Sequence, residues 1–396
     1  MTRRRIAVVT GSRADFGLLS RVISGLRSRA DVECQVVVTG SHLSAVHGNT
    51  VSEIDEAGVP VSFRVDVGLV GDAATDTVKA MGRATIGLAD AYAALRPDLV
   101  LVLGDRYEIL SAASAASVAC IPVAHLHGGE LSFFAVDDAI RHAITKLSHL
   151  HFVAAEPYQR RVIQMGEDPQ RVFLVGGLGV DLARATSRIA KAELARETGF
   201  RFGPRNLVVT FHPVTLDAQQ GASELDELLA ALAALRDTHL AFTLPNADVG
   251  NASIRSRVES FAAAQPNAWT FSSLGFRRYL SFVALSDGVV GNSSSGLIEA
   301  PALGVGTVNV GRRQDGRLRA SSVIDCAATA SEISTALGIL MSPAFKAALT
   351  HITNPYGSGG AADAIVRIVS SVDLTGILSK RFHDTTSESF ELSAHE

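Results

Sequence analysis

The strongest constraint on this chain is a repeated alternation. Short, mostly apolar runs alternate with longer stretches whose apolar residues recur at helical spacing. Ile6–Thr10, Cys34–Thr39, Leu99–Leu103 and Ile121–Leu126 are such runs, and Leu18, Leu19, Val22, Ile23 and Leu26 form the first helical stripe. A strand apolar on both faces has to be covered on both faces, which means a parallel sheet between layers of helices. Shorter strands at Val61–Val65, Phe152–Ala154 and Val172–Val175, with helices over Val78–Leu95 and Ile109–Val118 and another from Asp137, complete one such layer.

A second series starts at Leu207–Phe211 and continues through Leu240–Leu244, Trp269–Phe271, Gly288–Val290 and Val305–Val310. With 396 residues the chain has the length of two ordinary domains. The expected fold is α/β, with two Rossmann-like domains facing a central cleft. The domain bounds are 1–177, a more polar linker at 178–205, and 206–360. A C-terminal helix within 361–382 packs back on the first domain, and 383–396 is a loose tail.

Polar residues gather just after the strands, where open α/β sheets bind their ligands. The clearest case is Gly291-Asn292-Ser293-Ser294-Ser295-Gly296, between the strand ending at Val290 and a helical pattern starting at Leu297. Unpaired N–H groups at a helix start, the helix dipole and small side chains together suit an anion such as a phosphate. Plain capping by serine is the competing explanation of this stretch alone.

Composition narrows the partners. The net charge of −4 argues against a broad nucleic-acid footprint, so an anion has to be held by a few placed arginines. The basic N-terminus runs straight into a strand, and no segment is long enough to cross a bilayer or act as a signal core, so no membrane partner is expected. The three cysteines, Cys34, Cys120 and Cys326, lie in or beside apolar runs, which predicts reduced core thiols and a cytoplasmic protein. The histidines, His42, His125, His127, His142, His149, His151 and His212 among them, show no zinc spacing, so no metal is expected. Gly11 to Gly17 is a Gly-rich turn without the G-x-G-x-x-G or Walker pattern, and no cofactor is expected.

The first half places acids and bases at strand ends. Asp105 and Arg106 follow one strand, His127 and Glu130 the next, and Asp137 and Asp138 open a helix on which Asp137, Arg141 and Thr145 share a face. Asp137 as a cap paired with Arg141 is the simpler account of that pair. Carboxylates at three separate sites are harder to explain by capping, and several in one cleft push their pKa values apart into an acid and a base. His212, at a strand end before a proline, is either a core histidine or a ligand contact.

With these residues in view, the chain resembles the bacterial hydrolysing UDP-N-acetylglucosamine 2-epimerases of sialic-acid-type sugar pathways. It is more distantly similar to the non-hydrolysing UDP-N-acetylglucosamine 2-epimerases. The matching pieces, in the family's order, start with Gly11-Ser12-Arg13-Ala14-Asp15-Phe16-Gly17, Gly40-Ser41-His42-Leu43 and Gly104-Asp105-Arg106. They continue with His125-Leu126-His127-Gly128-Gly129-Glu130, the Asp137–His149 stretch, Phe211-His212-Pro213-Val214-Thr215 and the Gly291–Gly296 loop. The resemblance implies a GT-B-like pair of domains, a UDP-sugar substrate, no cofactor, and a homodimer or homotetramer. It implies catalytic roles for Asp105, Glu130, Asp137 and His212. It implies substrate contacts at Arg13, His42, Arg106, Arg141, Asn246, Ser293, Ser294, Ser295, Glu299 and Arg313, with Glu299 on the ribose hydroxyls.

The family's chemistry expels UDP from C1 while a base removes the C2 proton, giving 2-acetamidoglucal. Water added at C1, with reprotonation at C2 from the other face, then gives N-acetylmannosamine; UDP added back gives UDP-N-acetylmannosamine. Hydrolysis is the expected outcome here. Two departures stand out: His127, where some relatives carry glutamate, and the segment Leu131-Ser132-Phe133-Phe134-Ala135-Val136, where the family usually has small residues. Rings of Phe133 and Phe134 facing C1 would exclude water; the alternative is that they pack under the following helix. A GT-B glycosyltransferase using a UDP-sugar donor and a nucleotide-sugar sensor without catalysis are the competing readings.

Overall fold

The structure is a computed structural model that describes residues 3–45, 48–69, 71, 73–133, 135–212, 218–244 and 251–385. The first sheet contains β1 (Arg4–Thr10), β2 (Val32–Val38), β3 (Val61–Arg64), β4 (Leu99–Leu103), β5 (Val123–Leu126), β6 (Leu150–Val153) and β7 (Val172–Leu174). The second contains β8 (Arg205–Thr210), β9 (Thr238–Thr243), β10 (Ala268–Phe271), β11 (Gly288–Gly291), β12 (Thr307–Val310) and β13 (Val323–Cys326). Every strand pair is parallel.

The strand orders explain where a site can form. They are β3-β2-β1-β4-β5-β6-β7 and β10-β9-β8-β11-β12-β13. The order reverses between β1 and β4 in the first sheet, and between β8 and β11 in the second. Crossovers leave in opposite directions there, so the turns after those strands diverge and open a crevice. The turns in question carry Ser12–Asp15 and Gly104–Arg106 on one side, and His212 and Gly291–Ser295 on the other.

Each sheet has a core on both faces, as the apolar runs require. In the first, Ile6, Val8, Leu99 and Leu101 point to one layer while Ala7, Val9, Val100 and Val102 point to the other. Leu207 and Val209 separate from Val208 and Val289 in the same way in the second. A smaller apolar cluster joins the halves, with Tyr158 and Val180 meeting Leu297, Ile298 and Tyr356. The Ala361–Ser371 helix lies against the Arg13–Arg27 helix of the first domain, with Ala361, Ile365 and Val369 in that core.

Several expectations need amending. Residues 178–205 are a pair of helices, Leu178–Ala185 and Lys191–Thr198, before β8 begins at Arg205. Strand β13 was not foreseen, because it is an edge strand with a polar Asp325 and no fully buried residue. Cys120 is not a core thiol but exposed, in a left-handed turn at φ 57°. The start of the tail is docked, with the His383 N–H donating to the Gly166 carbonyl at 2.9 Å. Among the described residues no single helix is long and apolar enough to cross a membrane.

Candidate active site

The N-terminal rim is built from strand ends tied to one another through side chains. Asp105, just past β4, is ion-paired with Arg141 of the Asp137–Leu147 helix. Arg141 is 1% exposed and also donates to the Glu130 carbonyl at 2.8 Å and to Ser132 Oγ at 3.1 Å. Arg141 thus supports Asp105 and the Glu130 backbone while also lining the cavity. Val136, not Asp137, takes the N-cap position of that helix, and Asp138 lies 3.6 Å from Arg141.

Glu130 is 3% exposed, with one oxygen on His127 Nδ1 at 2.9 Å and the other 3.6 Å from Arg317. The Leu178 N–H donates to His127 Nε2 at 3.2 Å, so the ring proton sits on Nδ1 and points at Glu130. His127 holds this pose at φ 63°, a left-handed conformation costly for a residue with a Cβ and typical of functional sites. Burial alone would raise the Glu130 carboxyl, but the His127 hydrogen bond and the Arg317 charge bring it down to about 2. Arg106 pairs with the buried Glu108 at 2.7 Å. Burial pushes Asp15 up to about 6, against the pull of Arg106, while Ser12 Oγ donates to it at 2.5 Å.

The C-terminal rim is backbone. β11 ends at Gly291 with φ 129°, where a Cβ would collide with the Thr210 carbonyl of β8. Asn292 clasps the His212 backbone, accepting its N–H at 2.7 Å and donating to its carbonyl at 2.9 Å. Ser294 takes the N-cap position of the Ser295–Ala302 helix without a side-chain capping bond, and Tyr279 donates to Ser295 Oγ at 2.8 Å. Arg313 and Gln314 both donate to the Asn292 carbonyl, at 3.1 and 2.7 Å. Burial raises the pKa of Glu299.

Both rims line one cavity. Asp105, Arg106, Glu130, Asp137 and Arg141 reach it from the first domain, and His212, Ser294, Glu299 and Arg313 from the second. An adjoining cavity, sharing Ala14, Leu18, His212, Ser294 and Glu299, adds Arg13, Ser293 and Ser295. Arg13 crosses the cleft to the Ser272 carbonyl at 2.5 Å.

His42 stays out. It is fully buried between Thr10 Oγ1 at 3.0 Å and Thr50 Oγ1 at 2.9 Å, burial brings it down to about 4, and it lines neither cavity. Asn246 and Phe134 lie outside the described residues. Phe133 is 54% exposed and lies against Gly316 of the second domain, where a Cβ would come within 3.0 Å of its ring. It lines neither cavity. Among the described residues no group of His, Cys, Asp and Glu is arranged to hold a metal ion.

Asp15, Ser132, Gln314 and Arg317 also line the cavity, beyond the residues expected from the sequence. Arg317 carries a signal in the sequence: it follows Arg313 by four positions in the strand-end segment Gly311-Arg312-Arg313-Gln314-Asp315-Gly316-Arg317.

Comparison with known proteins places this geometry. Residues 24–370 match the family described as UDP-N-acetylglucosamine 2-epimerase. The chain is 38% identical over 367 residues to the polysialic acid biosynthesis protein P7 of Escherichia coli, covering 92% of this chain and 93% of the relative. It is 35% identical over 386 residues to the GDP/UDP-N,N'-diacetylbacillosamine 2-epimerase (hydrolyzing) of Campylobacter jejuni, covering 97% and 100%. Its fold matches the crystal structure of the Neisseria meningitidis UDP-GlcNAc 2-epimerase bound to UDP-GlcNAc with a TM-score of 0.79, at 17% identity and 92% and 99% coverage.

Proposed function

The chain belongs to the UDP-N-acetylglucosamine 2-epimerase family, and from that premise we propose that it is a hydrolysing 2-epimerase of a UDP-2-acetamido sugar, UDP-N-acetylglucosamine first among them. The observation that carries the proposal is the two-sided cavity. Carboxylates Asp105, Glu130 and Asp137 stand on one rim, and the Ser294 helix start with Arg313 stands on the other.

The sugar's C2 proton has no neighbouring carbonyl to acidify it, so its removal has to be coupled to loss of UDP from C1. Backbone N–H groups at Ser294–Gly296 and the Arg313 guanidinium oppose the charge growing on the β-phosphate. Glu130, held well below the usual carboxylate range by His127 and Arg317, stays ionised and suits the positive charge developing at C1. Asp105 and Asp137 are left as the groups that remove the C2 proton and return one to the other face. Water then adds to C1. The naming of the Campylobacter relative as hydrolysing supports this step. Glu299 takes the ribose hydroxyls, His212 contacts the nucleotide side, and the enzyme works in the cytoplasm as a homodimer or homotetramer.

In D₂O the product should carry deuterium at C2, and a ³¹P NMR time course should show free UDP rising. Unlabelled product would sink the epimerase reading and favour a glycosyltransferase. A steady mixture of two UDP-sugars without UDP release would make the enzyme non-hydrolysing. Running UDP-N-acetylglucosamine beside UDP-N,N'-diacetylbacillosamine identifies the sugar by the higher kcat/KM.

A further inference from the structure

Arg317 lies on the segment after β12, between the two rims. Its side chain is 13% exposed and reaches across the cleft, where Glu130 Oε2 is 3.6 Å away and Ser132 Oγ 3.5 Å away. Both contacts are long for a guanidinium, and its Nε is buried with no hydrogen-bond partner. A buried cation so loosely held is costly in itself and is retained where a ligand completes it.

The backbone around it is held firmly. The Leu318 N–H donates to Tyr158 Oη at 3.1 Å, Tyr356 Oη donates to the Leu318 carbonyl at 3.2 Å, and the two phenols are 3.1 Å apart. Tyr158 belongs to the first domain and Tyr356 to the second, just before the Ala361–Ser371 helix. The loose end of this well-anchored segment is therefore the guanidinium alone. Its Nε and Nη form a planar fork that matches two oxygens of one phosphate. The cavity it lines is the one shared by Ser294 and Arg313 on the anion side and by Glu130 on the sugar side.

We propose that Arg317 is the leaving-group arginine, a catalytic residue whose Nε–Nη fork takes the β-phosphate oxygens as the bond to C1 breaks; this rests on the UDP-sugar reaction above. In that step the C1–O electron pair leaves with the β-phosphate oxygen. The C2–H pair becomes the second bond of C1=C2, and the C2 proton passes to a carboxylate of the N-terminal rim. UDP departs with one more negative charge than it had as an ester, and Arg317 is placed to meet that charge while Glu130 faces the sugar.

Arg317→Gln and Arg317→Lys test this. For Arg317→Gln, UDP release from the UDP-sugar should slow on the order of 10²–10³ in kcat. Calorimetry should show UDP binding weakened about tenfold or more, as expected for a lost charged hydrogen bond, with UMP binding unchanged. Hydration of isolated 2-acetamidoglucal, which has no leaving group, should proceed at the wild-type rate. Arg317→Lys should keep UMP affinity and recover part of the lost kcat. Equal weakening of UMP and UDP, or an equal loss of glycal hydration, overturns the assignment, since the residue would then act through the fold or through Glu130. Wild-type enzyme run in parallel separates the two levels. Normal UDP release by both wild type and Arg317→Gln overturns the arginine's role alone, whereas no release by wild type overturns the underlying reaction and the inference with it.

Discussion

The two rims of the cleft are made in different ways. The C-terminal rim is local: a strand end, a glycine at φ 129°, three serines and the start of a helix, all within a few residues of Gly291. The N-terminal rim is assembled from residues far apart in the chain, each tied to another. Asp105 needs Arg141, Glu130 needs His127 and Arg317, and Arg106 needs Glu108. A site for binding an anion can be made of backbone dipoles that are there in any helix. A site that must hold several carboxylates close together needs partners for each, because unpaired buried charges are far too costly. The contrast suggests that damage to the first rim spreads through its ties and damage to the second stays local.

The largest expected effect breaks a tie outright. Arg141→Ala leaves Asp105 without its buried partner and should cost about 3–5 kcal/mol of stability in urea unfolding. A loss under about 1 kcal/mol, the range of surface pairs, would mean that the ties are not what holds this rim.

Asp105→Asn keeps the shape and removes the charge. Turnover should fall on the order of 10²–10³, with UDP affinity by calorimetry unchanged. A matching loss of UDP affinity would show that the two rims are not separate in function.

The N-terminal rim should also leave a signature in the pH dependence of stability. Asp15 has its pKa raised from 3.8 to about 6 in the fold, so the folded state holds its proton longer than the unfolded one. Stability from this group is present below pH 3.8 and is lost as pH rises towards 6, by about 3 kcal/mol in all. Glu130, lowered from 4.5 to about 2, does the opposite: its contribution is present above pH 4.5 and is lost as pH falls towards 2. Asp15→Asn should flatten the fall between pH 4 and 6, as measured by thermal melts across that window. An unchanged slope would show that Asp15 does not titrate there.

The smallest effect belongs to the backbone rim. Ser294→Ala removes one hydroxyl but no N–H group, and should weaken UDP by about 0.5–1.5 kcal/mol, with kcat at saturating substrate unchanged. A large drop in kcat would mean the hydroxyl takes part in the chemistry and that the contrast between the rims is too simple.

How far the sequence could be read follows the same division. The Gly291–Gly296 loop announces itself because its function lies in local backbone geometry, and local geometry follows from local residue types. The sheets were legible for the same reason: apolar runs such as Leu99–Leu103 are buried on both faces wherever they are placed. Edge strand β13, only half covered, lacked that pattern.

Tertiary structure decided which polar groups meet. His42 and His127 sit in similar Gly- and His-rich strand-end motifs, yet one is sealed between two threonines and the other lies in the cleft holding Glu130. Arg141 meets Asp105 from a helix 36 positions further along the chain, a pairing that only the fold brings together. Arg317 comes to Glu130 from the other domain, 187 positions further along the chain, and no local pattern encodes that distance. Periodicity reports the burial of apolar residues, which nearly any neighbour can satisfy. Charge pairing depends on a particular partner at a particular few ångströms, and only the folded chain supplies it.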